Sequence, residues 1–192
     1  MKMPVAVFLL CLPTALCGQT VNLAALRARC APGATEATLR AIVQVESSGN
    51  PNAMQIDFPR ALLKSWHLAP GSLRLKNQPR DRAEALGWLA YFERFHIFVD
   101  LGLMQVSTAE ANRRGTAPAS LLDPCTNLQV GWQILQEDYR AEVRTYGPGQ
   151  SALRHAISRY NTGDPQLGMD NGYLDRVLAA ARSVVNVKGG TQ

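Results

Sequence analysis

Glu46 stands where a carboxylate is poorly placed. It follows Leu39, Ile42 and Val43 at the spacing of one helical stripe, so three aliphatic side chains and one acid share a face. The run Ser47-Ser48-Gly49-Asn50-Pro51 then stops the helix, which puts Glu46 in its last turn, at the negative end of the helix dipole. Desolvation and the dipole both favour the neutral acid. A carboxyl kept protonated near neutral pH is what a general acid requires, although a Glu paired with an Arg would be merely structural. Two more runs could belong to a site: Asp100-Leu101-Gly102-Leu103-Met104-Gln105-Val106 and Arg159-Tyr160-Asn161-Thr162-Gly163. Taken singly, each reads as core, with the Tyr160 hydroxyl finding a local partner. Other chemistries lack their residues. His67, His96 and His155 do not have zinc-ligand spacing, no Cys lies in a CxxC, and neither a GxSxG elbow nor a phosphate loop occurs. The expectation is therefore no metal and no cofactor.

The elements that must hold these residues are mostly helices. Asp81 with Glu84 and Ser107 with Glu110 have the spacing of capping boxes. The first opens a face of Ala85, Leu89, Phe92 and His96, and the second a short helix stopped at Gly115. Asp123-Pro124 is an N-cap followed by proline at the first helical position. The helix after it carries Leu128, Trp132, Leu135 and Tyr139 and stops at Gly147-Pro148. Leu153, Ala156, Ile157 and Tyr160 mark the next helix, and Leu174, Val177, Leu178 and Ala181 the last. Residues 52–80 read as loop with a short helix near Ala61-Leu62-Leu63, and only Ile97 to Val99 suggests extended chain. The pattern predicts a mainly α, single-domain protein without internal repeats.

With 192 residues, 46% hydrophobic and 18% charged, the composition fits one globular domain and excludes a disordered chain. The net charge of +5 is spread without a dense basic block, which favours an anionic polymer or surface as partner. Without a basic helix or an aromatic-lined sheet, nucleic acid is not expected. At the N-terminus, Lys2, the apolar run Val5 to Leu12 and Ala15-Leu16-Cys17 predict a secretory signal peptide over 1–17. A folded domain is expected over 18–185 and a disordered tail over 186–192. No other segment reaches about 18 uninterrupted apolar residues, so no transmembrane segment is expected in the mature chain. After removal of Cys11 and Cys17, only Cys30 and Cys125 remain, which in an oxidising compartment suggests one disulfide; two separate buried thiols are the alternative.

Taken together and in order, the runs resemble the lytic transglycosylases, most closely the branch that accompanies type IV secretion and conjugation machines. The matching pieces are Val45-Glu46-Ser47-Ser48-Gly49-Asn50-Pro51, Gly102-Leu103-Met104-Gln105-Val106 and Tyr160-Asn161-Thr162-Gly163. Leu122-Asp123-Pro124-Cys125-Thr126-Asn127-Leu128 and Asn171-Gly172-Tyr173-Leu174 point to the secretion-associated branch. Ser48 departs from the Gly common in the family, at a position that asks only for a small residue. The resemblance implies a lysozyme-like fold around a glycan-binding groove, with Glu46 as catalytic acid in a periplasmic enzyme acting on peptidoglycan glycan strands. It further implies that Ser47 bonds near the acid or the sugar. Gln105 and the backbone of Gly102, Leu103 and Met104 would form the groove wall. The Tyr160 hydroxyl would orient Glu46, Asn161 would hold the groove loop or sugar, and Tyr173 would contribute to substrate binding. Asp57 and Asp100 receive no catalytic role. A water-using muramidase of the same fold and a non-catalytic wall-binding assembly factor remain the alternatives.

Overall fold

Caps and stops set the helix ends. The computed structural model describes residues 21–57, 75 and 77–189; the segment assigned to a signal peptide and the helix expected near Ala61-Leu62-Leu63 lie outside them. In chain order come α1 (Leu23–Cys30), α2 (Glu36–Ser47), β1 (Met54–Ile56), α3 (Arg82–Arg94), β2 (Val99–Leu101), β3 (Val106–Ser107) and α4 (Thr108–Arg113). A 3₁₀ turn (Pro118–Leu122), α5 (Pro124–Tyr146), α6 (Gln150–Thr162), α7 (Leu167–Asp170) and α8 (Tyr173–Gly189) follow. Asp81, Ser107 and Asp123 all cap as expected, each side chain accepting a hydrogen bond from a backbone N–H of the first turn. The reciprocal half of the first capping box goes elsewhere: Glu84 accepts from the Arg80 backbone N–H at 2.9 Å. His96 does not extend the α3 face, because the helix ends at Arg94 and His96 has φ +55°. Helix α8 runs on to Gly189, into the stretch assigned to a disordered tail.

One hydrophobic core joins the helices to a small sheet. Leu39 and Ile42 of α2, Leu128 and Leu135 of α5, Ile157 of α6 and Val177 of α8 all contribute to it. The sheet is antiparallel in the order β1-β2-β3, with Met54 opposite Leu101, Gln55 opposite Asp100 and Asp100 opposite Ser107. The expectation of loop over 52–80 missed β1, since strands of two or three residues are too short to show alternation. The period-two rule still sorts their faces. Met54, Val99, Leu101 and Val106 are buried in the core, whereas Gln55, Asp100 and Ser107 form a polar row on the other face.

Two local features bear on stability. Helix α1 has no clear apolar stripe; Cys30 at its end is bonded to Cys125 at the start of α5, with Cα atoms 5.3 Å apart and 95 positions between them in sequence. In the seam between α5 and α6, Glu142 is 3% exposed and accepts from Arg159 Nε at 2.7 Å. Asp138, one turn earlier in that seam, is pushed up from 3.8 to about 7, first by burial. The charges of Glu137 and Glu142 add to the shift, and those of Arg159 and Arg114 oppose it.

Replacing both Cys30 and Cys125 by Ala should lower unfolding free energy by on the order of 4 kcal/mol, because it frees a long loop in the unfolded chain. Urea titration with and without reductant measures this. An unchanged midpoint in the double variant would mean that α1 is held by packing alone. For Asp138 the sign follows from its raised pKa: folding favours the neutral acid, so its contribution is full below 3.8 and disappears as pH rises through about 7. Asp138→Asn should therefore be more stable than the wild type at pH 8, by on the order of 1 kcal/mol after allowance for solvent screening. The gap should close toward pH 4, and parallel stability–pH curves would contradict the assignment.

Candidate active site

The end of α2 presents Glu46. Thr35 caps the helix at its start, and Ser48 ends it in the left-handed region at φ +54°, followed by Gly49 at φ +81°. Leu39, Ile42 and Val43 anchor the helix in the core, which leaves Glu46 half-buried at its rim. The hydroxyl of Tyr173 donates to Glu46 Oε1. Tyr173 is the first residue of α8 and is 1% exposed. A turn at Asn171-Gly172, with Gly172 at φ +73° and Asn171 Oδ1 accepting from the Tyr173 N–H at 2.8 Å, aims it there. The expectation gave this contact to Tyr160. A phenol has one proton, and Tyr160 gives its own to the carbonyl of Met104 at 2.7 Å. Tyr160 thus holds the loop beside the acid, and Tyr173, expected to bind sugar, holds the acid itself. Burial, and next to it the charge of Glu46, keeps both phenols well above their ordinary pKa, so both remain neutral donors.

Facing the acid is the loop from Gly102 to Gln105, and its polar groups are committed to the protein. Gly102 N–H donates to Ala53 O at 2.8 Å, and Gln105 Nε2 donates to Gly102 O at 2.9 Å and Ala53 O at 3.1 Å. Ser47 Oγ donates to Leu103 O at 2.8 Å, fastening the end of α2 to the loop. Leu103 and Met104 bury their side chains at 1% and 0% exposure, so only their backbone can contribute to a groove wall. Gly102 has φ +75°, and a Cβ there would lie 2.4 Å from Asn127 Nδ2 and 2.8 Å from Leu121 O, so only glycine fits. Asn161 is exposed on the last turn of α6.

Asn127 and Gly131, given no site role from the sequence, and Asp100, given no catalytic role there, complete the arrangement. Asn127 is fully buried and ties three segments together. Its Oδ1 accepts from Met104 N–H at 2.8 Å, and its Nδ2 donates to Leu101 O at 2.7 Å and Leu121 O at 3.0 Å. Gly131 leaves a notch in α5 for Met104, whose Sδ would lie 2.7 Å from any added Cβ. Asp100 lies on the polar face of the sheet, and its carboxyl is held well above the usual range. Burial is the main cause, followed by the charges of Asp57 and Glu46. Asp57 in turn accepts from Ser107 Oγ at 2.9 Å. Asp100 lies in the Asp100-to-Val106 run, and polar alternation would have flagged it had the strands been longer. Among the described residues, no group of three or more His, Cys, Asp and Glu side chains could hold a metal ion.

A helical core, a small three-stranded sheet across from it, and an acid at a helix end facing the sheet's polar side define a lysozyme-like domain. The comparisons narrow this: residues 24–175 match the transglycosylase SLT domain, and the chain belongs to that family. It is 36% identical over 156 residues to the protein virB1 of Agrobacterium fabrum, covering 81% of this chain and 58% of that protein. It is 34% identical over 162 residues to the type IV secretion system protein virB1 of Brucella abortus, covering 81% of this chain and 62% of the relative. The chain thus spans about three fifths of the length of these relatives. No solved structure matches.

Replacing Asn127 by Ala should strand the Met104 N–H and two carbonyls, lowering stability by on the order of 3 kcal/mol. Urea titration tests this; a loss below about 1 kcal/mol would mean that other contacts suffice to hold the loop.

Proposed function

We propose that the chain is a peptidoglycan lytic transglycosylase, exported to the periplasm, that opens the wall locally for a type IV secretion or conjugation apparatus. The observation that carries the chemistry is an asymmetry between two carboxyls. Glu46 stands at a helix end with the Tyr173 hydroxyl on one of its oxygens, and the Asp100 carboxyl is pushed well above its ordinary pKa by burial, then by the charges of Asp57 and Glu46. A retaining glycosidase with two carboxyls needs one to donate a proton and the other, ionised, to attack or stabilise the anomeric carbon. The raised pKa of Asp100 disfavours the ionised form that the second part needs, which supports a mechanism with one working acid.

In that mechanism Glu46 protonates the glycosidic oxygen between N-acetylmuramic acid and N-acetylglucosamine as the bond to the anomeric carbon breaks, with assistance from the muramic acetamido group. The muramic 6-hydroxyl then closes onto the anomeric carbon and returns its proton to the Glu46 carboxylate. The product is a 1,6-anhydro sugar, the acid is regenerated, and no water is consumed. Neutral phenols at Tyr160 and Tyr173 suit this cycle, since neither competes for the moving proton. The +5 net charge supports an anionic wall polymer as partner, and similarity to a protein named for type IV secretion supports the association with such a machine.

Glu46→Gln should fold like the wild type and lower cleavage of purified peptidoglycan by on the order of a thousandfold. Mass spectrometry of the released muropeptides should find anhydro-muramic ends with the wild type and essentially none with the variant. Equal lysis by the variant would remove Glu46 from the mechanism. Reducing ends would assign a water-using muramidase and give Asp100 a catalytic part. No release by either protein would favour a wall-binding assembly factor.

A further inference from the structure

Six large hydrophobic side chains are conspicuously exposed among the described residues, and four belong to one stretch: Trp88 (40%), Tyr91 (52%), Phe95 (54%) and Phe98 (46%). All four are aromatic. Trp88, Tyr91 and Phe95 follow i, i+3, i+7 spacing along α3 and continue past its end, while Ala85, Leu89 and Phe92 fix the other side of the helix in the core. The rings support one another: Tyr91 and Phe95 centroids are 5.0 Å apart, and Trp88 stacks on Phe92 at 5.9 Å. Solvent therefore meets a braced aromatic ridge rather than loose side chains.

The ridge joins the groove through the sheet. The connection between β1 and β2 carries α3, and the chain comes back to β2 through a tight turn. Phe95 and Ile97 donate to Phe92 O, and His96 donates to Glu93 O, all at 3.0 Å. Pairing then continues past the ladder, with Asp57 N–H donating to Phe98 O at 2.9 Å. Strand alternation puts Phe98 on the same face as Asp100, opposite the buried Val99. That face is the polar one, close enough to Glu46 for its charge to act on Asp100.

We propose that the ridge from Trp88 to Phe98 is a glycan platform that extends the groove and carries a β-1,4-linked N-acetylhexosamine strand beyond the cleavage site. The axial C–H groups of such a sugar form an apolar face with slight positive charge, and an aromatic face is slightly negative, so the two stack. The proposal rests on the glycan-cleaving reading above. It adds a place where strand length is sensed: a long strand reaches the ridge and a tetrasaccharide does not.

The test uses the full exported chain. In a Glu46→Gln background, sedimentation with insoluble peptidoglycan sacculi measures retention, and titration with chitohexaose measures binding to a soluble strand. Tyr91→Ala with Phe98→Ala should weaken both about tenfold, and Tyr91→Phe with Phe98→Trp should preserve them. Tyr146→Ala, at an exposed aromatic outside the ridge, should leave both unchanged. With Glu46 restored, the double Ala variant should lose about tenfold more kcat/KM on long strands than on a tetrasaccharide. Unchanged binding in a double variant with native circular dichroism would overturn the platform. So would unchanged binding with loss only of association with a secretion complex, since the ridge would then face a protein. Ridge-dependent retention by a wild type that releases no anhydro ends would instead overturn the lyase and keep the platform.

Discussion

Tyr173 has a single hydroxyl proton, and Glu46 receives it across 127 positions of sequence. For this bond to form, the first residue of α8 must lie beside the last turn of α2, and that requires the packing of the two helices over the shared core. With a buried phenol on one oxygen the orientation of Glu46 is fixed before any substrate arrives, which is the preorganisation that proton transfer rewards. Because the donor is a neutral phenol held well above its ordinary pKa, it orients the carboxyl without adding a charge.

The loop facing the acid is held by the same logic, through buried polar groups that pair with its backbone. Asn127 satisfies one N–H and two carbonyls, Tyr160 satisfies Met104 O, and Ser47 satisfies Leu103 O. Removing any one of these would leave a buried polar group without its partner, so the network is stable only as a whole. Ser47 and Glu46 are adjacent in sequence but act on different things. Ser47 bonds α2 to the loop, which leaves Glu46 turned toward the sheet and Tyr173. The separation between acid and loop is thereby set by two neighbouring residues of one helix.

Legibility in the sequence followed the range of the interactions. Helix α2 could be read because its stripe and its stop are local, and the oddity of Glu46 in that stripe was visible without any structure. The caps at Asp81, Ser107 and Asp123 were legible for the same reason. The three strands were not, because two or three residues carry no period. With them Asp100 and Phe98 lost the context that makes one a groove residue and the other an edge of it. Through the resemblance Tyr160 was expected at the acid and Tyr173 at the substrate, yet which hydroxyl reaches Glu46 depends on where α6 and α8 pack, and no local pattern encodes that. Asn127 lies inside the Leu122-to-Leu128 run, which resembles the secretion-associated branch. Its function of holding Leu101, Met104 and Leu121 spans 26, 23 and 6 positions and exists only in the fold.

Charge acts at two ranges in this molecule, with opposite signs. At long range the net +5 favours an anionic polymer, an attraction that falls away within a Debye length. Around the acid the balance inverts: burial, and after it the charges of Asp57 and Glu46, push the Asp100 carboxyl well above its ordinary pKa. Such crowding disfavours ionising several carboxyls at once. An aromatic ridge suits the stretch where the groove passes into the α3 turn. It holds a sugar by its apolar face without adding charge of either sign, so it leaves the electrostatics around Glu46 undisturbed.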